Sequence, residues 1–245
     1  MKGEMRHTNV DTVHNDTKLC ILSTSELNIH MMAKTPVKRP KRTTYRHGDL
    51  YRALLSSGLE LARDGGPDAV VLREVTRRAG VVPNAAYRHF ADRQALVQAV
   101  SEAAMSLLAS AMEAEQAAIG DRKDAADAAR ARLGAVGTGY LRFALAEPGL
   151  FRTAFSVPGD LELAASPASA GTSGLTPFQQ LTAALDEMVE AKILPPERRM
   201  GAEFLAWSAV HGLAMLMIDG PLRSLEPAQK QGIGQMLVAM VERGL

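Results

Sequence analysis

The sequence predicts an all-α protein of about nine helices, and three observations carry that prediction. Apolar residues recur at helical spacing from Leu50 to the end of the chain, while no stretch alternates in the manner of a strand. Proline and glycine stand at the edges of these periodic stretches rather than inside them, as helix starts and stops require. Hydrophobic residues make up 47% and charged residues 22%, enough apolar matter for a core. The single cysteine, Cys20, excludes an internal disulfide framework and a cysteine-rich zinc site.

Taken in order, residues 1–30 lack periodicity of either kind. His7, Asp11, His14 and Asp16 follow no metal-ligand spacing, so a tail without a metal site is expected there. Met31-Met32 stands where the basic character begins, and translation starting at one of these two is expected. Lys34 to Arg46, with Lys38, Arg39, Lys41, Arg42 and two prolines, reads as a flexible basic arm. The first helix carries Leu50, Leu54, Leu55, Gly58, Leu61 and Ala62 on one face and stops at Gly65-Gly66. A short helix from Leu72 to Ala79 turns Val75 and Ala79 inward; Gly80 breaks it. Pro83 can open the next helix, where its missing N–H costs nothing, and that helix runs to His89.

Asp92 then caps a long helix from Arg93 to Ala118. Asp124 to Ala146 follows, closed by Pro148, and Leu150 to Ser156 is a short helix. Pro158 to Thr176, rich in Ala, Ser, Gly and Pro, is expected to be a mobile loop. Three more helices are predicted: Pro177 to Lys192, Pro196 to Asp219, and Pro227 to Arg243.

Charge is divided unevenly along this order. Residues 34–100 hold thirteen basic and six acidic side chains, net +7, whereas residues 101–245 are net −5. A basic segment joined to an acidic body suggests a polyanion-binding module attached to something else. Its informative part is Leu72 to Phe90, where two short helices flank Ala79-Gly80-Val81. That is the pattern of a helix-turn-helix, in which glycine supplies the left-handed turn residue. The second helix offers Asn84, Ala85, Tyr87, Arg88 and His89 outward; such a helix fits a major groove, where Asn can bond adenine. A plain helical hairpin is the alternative reading of the same residues.

The stretch from Leu54 to Leu96, with Gly65, Ala79-Gly80-Val81, Tyr87-Arg-His-Phe90 and Arg93-Gln-Ala-Leu96, resembles the DNA-binding domain of TetR-family transcriptional regulators. The resemblance covers roughly Tyr45 to Val100. It implies an all-helical homodimer: a tail and arm over 1–44, a helix-turn-helix domain over 45–92, and an effector-binding and dimerisation domain over 93–245. It also implies that Tyr87 and Arg93 hold phosphates and that Asn84, Ala85 and His89 face bases, with Arg46, Arg73 and Arg88 as further DNA contacts. Val82 stands where the family usually has a Ser or Thr cap, which forfeits roughly 1 kcal/mol at the start of the recognition helix. Arg93 replaces the commoner Lys and keeps its charge.

In the second half, Trp207-Ser-Ala-Val-His211-Gly212 followed by Asp219-Gly220 is similar to the Trp-His-Gly signature of one subclass of TetR C-terminal domains. Trp207 and His211 share a helix face; they either line an effector pocket, with His211 as polar anchor, or belong to the core. Met105, Met112, Tyr140, Phe143, Phe151, Phe155 and Phe178 are the other candidate lining residues, although a Met or aromatic stripe is more often core. Leu205, Ala209, Leu213 and Leu216, with Ile233, Met236, Leu237 and Met240, present apolar faces suited to a four-helix dimer interface or to an ordinary core. Gly212 is expected to admit a close helix.

These readings converge on a ligand-responsive regulator, a repressor released from a palindromic double-stranded DNA operator by a small apolar effector. Phosphate-binding, nucleophile-elbow, metalloprotease and dinucleotide motifs are missing, so no enzyme, cofactor or metal is expected. The alternatives are a constitutive or architectural DNA-binding protein without effector, and a helical enzyme built on His211. No run of about 18 uncharged apolar residues occurs, so no membrane partner is expected. Met1 to Cys20 has acids and histidines where a secretion signal needs an apolar stretch, and a cytoplasmic protein is expected.

Overall fold

The computed structural model describes residues 47–159 and 165–244. Arg46, the tail in which no metal site was expected, the paired methionines and the expected basic arm lie outside the described residues. Ten α-helices occur among the described residues, and no strand: α1 (His47–Gly65), α2 (Leu72–Arg78), α3 (Pro83–Ala86), α4 (Arg93–Ala117), α5 (Ala125–Ala146), α6 (Pro148–Ala154), α7 (Pro177–Glu190), α8 (Pro196–Arg199), α9 (Ala202–Ile218) and α10 (Pro227–Gly244).

The helix starts follow the local chemistry. Asp92 accepts the Ala95 amide at 2.8 Å and Asp124 the Asp127 amide at 3.2 Å. Thr176 and Gln179 form a reciprocal capping box, and Pro177 occupies the first turn behind it. Val82 starts α3 in extended conformation without a side-chain cap, the loss anticipated from its sequence position. Gly80 has φ +69°, a left-handed conformation that an L side chain would strain, so it is the turn residue between α2 and α3.

Four boundaries differ from expectation. The segment predicted as one helix from Pro196 to Asp219 is two, because Met200 turns extended and Gly201 takes φ +82°. The short helix predicted from Leu150 runs Pro148–Ala154 instead: Pro148 opens it at a position where a proline needs no amide hydrogen. α3 is one turn rather than two, closing at Phe90, which is buried and stacks on Tyr51 at 5.4 Å. Finally, the described part of the expected mobile loop is tied to α4. Ser106 Oγ donates to the Ala170 carbonyl at 2.6 Å. Glu113 accepts the Thr172 amide at 2.9 Å, the Ser173 amide at 3.1 Å and the Ser173 hydroxyl at 2.6 Å, besides the Thr172 hydroxyl. Gln180 Nε2 reaches the Ala109 carbonyl at 3.1 Å. Composition alone did not show that one carboxylate on α4 would satisfy this segment's donors.

α4 is the axis of the molecule, packed against α1, α5, α6 and α7. Leu96, Leu108 and Met112 along it are buried, as are Leu54 of α1, Leu150 and Phe151 of α6, and Leu185 of α7. Each of these large side chains contributes about 1.5–3 kcal/mol by leaving water. α4 is also the one helix among the described residues that is long and apolar enough to cross a membrane; its apolar sides are covered by those four neighbours. α6 lies unusually close to α1: a Cβ added at Gly149 would stand 2.4 Å from the carbonyl oxygens of both Ala62 and Arg63. Arg63 Nε closes the same junction by pairing with Glu147 at 2.8 Å.

Candidate functional site

The first candidate site is the α2–α3 unit. Val75 and Ala86 are fully buried between the helices and hold the turn together. Asn84, Tyr87 and Arg88 project into solvent, Tyr87 at 56% exposure, and Ala85 is half-buried beside them. Arg73 is exposed and, like Arg88, has no ion-pair partner among the described residues. Arg77 and Arg78 differ: Arg77 is bound to Glu74, and Arg78 reaches Glu60, Asp64 and Glu74. The hydrogen bond from Arg77, opposed by some desolvation, holds the Glu74 carboxyl below its usual range.

Two residues in the set predicted to touch DNA are placed otherwise. His89 is half-buried with its ring 6.1 Å from that of Tyr51, so it packs under α3 and is not on the outward face. The short α3 is the reason: the chain turns inward at this position to bury Phe90. Arg93 Nε donates to the Val70 carbonyl at 3.0 Å and Nη2 to the Pro67 carbonyl at 2.9 Å, which fastens the first turn of α4 to the α1–α2 connection.

The second candidate site is a cavity of about 490 Å³ walled by α4, α5, α6, α7, α9 and α10. Of the nine residues predicted to line a pocket, Met105, Met112, Tyr140, Phe155, Phe178 and Trp207 line this one. Phe143, Phe151 and His211 do not. Phe143 and Phe151 are buried core, and His211 stands behind Tyr140. The sequence placed all three on the correct helices; a face of α5, α6 or α9 is wide enough to serve cavity and core at once. Residues missed from sequence include Gln98, Ser101 and Glu102 of α4, whose polarity reads as a solvated helix face.

Behind the aromatic wall lies a short polar chain. Trp207 Nε1 donates to the Tyr140 hydroxyl at 3.3 Å, and that hydroxyl shares a hydrogen with His211 Nδ1 at 2.8 Å. Phe155 approaches His211 edge-on, with centroids 4.7 Å apart, and Phe151 lies at 5.6 Å. Burial depresses the His211 imidazole below its usual pKa and raises the Tyr140 phenol well above its own, so both are neutral near pH 7. A neutral phenol can make three hydrogen bonds, and Tyr140 makes two of them to protein.

A third feature is the outward face of α9 and α10. Leu205, Ala209, Gly212 and Leu216 recur at helical spacing along one side of α9, Leu205 at 68% exposure. On α10, Met236 is 65% and Met240 56% exposed, while Ile233 and Leu237 pack inward. Leu213 is buried and belongs to the core of this chain, contrary to its expected outward position. A Cβ at Gly212 would meet nothing within 4 Å, so no helix among the described residues approaches it.

Two family models match the sequence. Residues 54–100 match the N-terminal model described as bacterial regulatory proteins, tetR family, and residues 133–241 match the tetracyclin repressor-like C-terminal domain. No curated protein matches the chain by sequence. Among solved structures, the chain is similar to a protein of unknown function from Rhodococcus sp. RHA1. That similarity is 27% identity and TM-score 0.63, covering 83% of this chain and 98% of that one. It is similar in fold to FadR from Bacillus subtilis in complex with stearoyl-CoA, at 10% identity and TM-score 0.56, covering 80% and 99%. A TetR variant from Acinetobacter baumannii AYE in complex with minocycline is 17% identical, with TM-score 0.51, covering 79% and 93%.

Proposed function

Because the chain is a TetR-family transcriptional regulator, a ligand-responsive DNA-binding protein, we propose that it is a cytoplasmic repressor. It sits as a homodimer on a near-palindromic operator and leaves it when a small, largely apolar effector fills the cavity. The observation that carries this reading is that two helices reach both sites. α4 walls the cavity with Met105 and Met112, and its first residue, Arg93, is bonded to the α1–α2 connection. α6 ends in the cavity wall at Ala154-Phe155 and begins at Gly149 against the last turn of α1. A ligand that prefers one spacing of these helices shifts the orientation of α2–α3 by its differential affinity.

In this reading residues 1–44 are an arm, 45–92 the DNA-binding domain and 93–245 the effector and dimer domain. Asn84 and Ala85 read bases, and Tyr87, Arg73, Arg88 and Arg46 hold phosphates. Arg93 contributes through the groups its carbonyl bonds leave over. The stripe of Leu205, Ala209, Gly212 and Leu216, with Met236 and Met240, is the surface shared by the two copies. Trp207, His211 and Gly212 support placement in the Trp-His-Gly subclass. An enzyme acting through His211 is disfavoured by the position of that ring behind Tyr140 rather than in the cavity wall.

The test is binding of the purified dimer to DNA from upstream of its own gene, in increasing salt, with and without apolar ligands detected by Trp207 fluorescence. Specific binding, lost steeply with salt and reversed by a cavity ligand, is expected. Binding that no cavity ligand reverses would make the protein a constitutive DNA binder.

A further inference from the structure

The lining of the cavity is uneven in charge. Among the described residues its lining includes no Lys, Arg or His, and Glu102 is the one acidic side chain there. Glu102 has no ion-pair partner among the described residues; its one hydrogen bond comes from Gln98 Nε2 at 2.9 Å. One acceptance leaves most of the carboxylate's lone pairs unused. Ser101 bonds the Ala154 carbonyl at 3.0 Å, which brings Phe155 to the same stretch of α4. Ten residues further along, Met112 is the next α4 residue in the lining after Met105, and the lining also includes the apolar Leu133, Val136 and Leu181. Ten residues of helix span about 15 Å. The α4 wall of the cavity therefore runs from an acidic, acceptor-rich stretch at Gln98–Glu102 to the apolar Met112 about 15 Å away.

We propose that the effector is an elongated cationic amphiphile, an ammonium or protonated amine whose charged head meets Glu102 and whose apolar body runs toward Met112. This inference rests on the reading of the cavity as the effector site and adds the charge of its occupant. A carboxylate partly withdrawn from water, with no countercharge of its own, attracts a cation more strongly than an exposed one does. The same stretch repels fatty acids and acyl-CoA thioesters, whose carboxylate or phosphates would meet a like charge with no basic residue of the described lining to offset it. The ligand class therefore differs from the stearoyl-CoA held by the Bacillus subtilis structure of similar fold.

The experiment uses three ten-carbon probes of equal chain length, decylammonium, decanol and decanoate, each below its micellar concentration near pH 7.5. Trp207, the sole tryptophan, lines the cavity and reports binding by fluorescence; calorimetry gives the same constants independently. Decylammonium should bind most tightly and decanoate least, with about a tenfold separation or more. Glu102→Gln, nearly isosteric, should collapse that ranking to within about threefold. Should the variant not fold, the ranking on the parent protein still decides. Decanoate binding as well as decylammonium, or a ranking untouched by Glu102→Gln, would overturn the proposal. Decanol binding without any charge preference would overturn it while leaving the cavity reading intact, and failure of all three probes to bind would overturn both.

Discussion

A methyl group at Gly149 tests how tightly the ligand-binding body is joined to the helix-turn-helix unit. The added Cβ of Gly149→Ala would lie 2.4 Å from the Ala62 and Arg63 carbonyl oxygens and 2.9 Å from the Arg63 carbonyl carbon. All three are backbone atoms, so no side-chain rotation relieves the clash. α6 cannot retreat, because Leu150 and Phe151 behind it are fully buried in a close-packed core. The end of α1 must yield, by about 1 Å to restore van der Waals contact. Overpacking of this kind costs about 1–3 kcal/mol. Replacing glycine within a helix returns up to about 1 kcal/mol, so a mid-range clash of about 2 kcal/mol leaves a net loss of about 1–2 kcal/mol. For a chain of this size each kcal/mol moves Tm by about 2–4 °C, so calorimetry should record a drop of about 2–8 °C. Displacing α1 also strains the Arg63–Glu147 pair, and affinity for operator DNA should fall while the cavity, read by Trp207 fluorescence, keeps its ligand. Gly134→Ala in α5 is the control: its Cβ would meet Val238 Cγ1 at 3.8 Å, an ordinary contact, and Tm should rise slightly. A Gly149→Ala protein that melts within about 1 °C of the parent and binds DNA equally well would refute the close junction.

Further predictions concern the other sites. Tyr87→Ala should weaken binding to operator and scrambled DNA alike, whereas Asn84→Ala should mainly erode the preference between them; equal loss of preference from both would overturn the division into phosphate and base contacts. Tyr140→Phe removes the partner of both Trp207 Nε1 and His211 Nδ1 and should cost about 1–3 kcal/mol in denaturant unfolding, less if water enters. His211 has a depressed pKa when folded, so the unfolded chain binds the extra proton. Stability should be retained above the ordinary imidazole value of 6.5 and decline as pH falls below it, with a shallower decline in His211→Gln; an unchanged slope would exclude the imidazole as its source. Gly212→Ala should favour helix α9 in the isolated chain yet weaken a dimer closely packed there, and Leu205→Glu should yield monomers in sedimentation. A dimer undisturbed by both would locate the shared surface elsewhere.

How much of this was legible from residues alone varies with the range of the interaction involved. Helix starts were readable because they are decided locally: Asp92, Asp124, Thr176 and the prolines beside them act on amides within one turn. Gly80 was readable for the same reason, since a left-handed turn residue advertises itself. Gly201 was passed over inside a periodic stretch, because periodicity does not reveal the sign of φ. The cavity was half legible. Aromatic and Met residues announce an apolar interior, but which of them face empty space depends on helix rotations set by packing at long range. Glu102 was illegible as a lining residue because its neighbours Glu113 and Glu115 have the same sequence appearance and quite different surroundings: Glu113 bonds the 171–173 segment, and Glu115 pairs with Arg142.

The bonds from Ser106, Ala109, Glu113 and Gln116 to the segment around residues 170–180 make α4 a beam clamped along its second half. Burial opposes ionisation of Glu113, but the hydroxyls and amides of Ser173 and Thr172 outweigh it, so the clamp remains charged well into acid. The other half, from Ser106 back to Arg93, is about 20 Å long and is held by packing on α1 and α6 and by the Ser101 bond to the Ala154 carbonyl at 3.0 Å. A tilt of about 5° at the fulcrum carries its tip roughly 2 Å, on an arm whose length follows from the helical rise. That tip is bolted through Arg93 to the α1–α2 connection. In the proposed reading, the cavity wall from Gln98 to Met105 lies along that arm, so an occupant that spreads the wall would carry the tip, and with it the α2–α3 unit, to a new position.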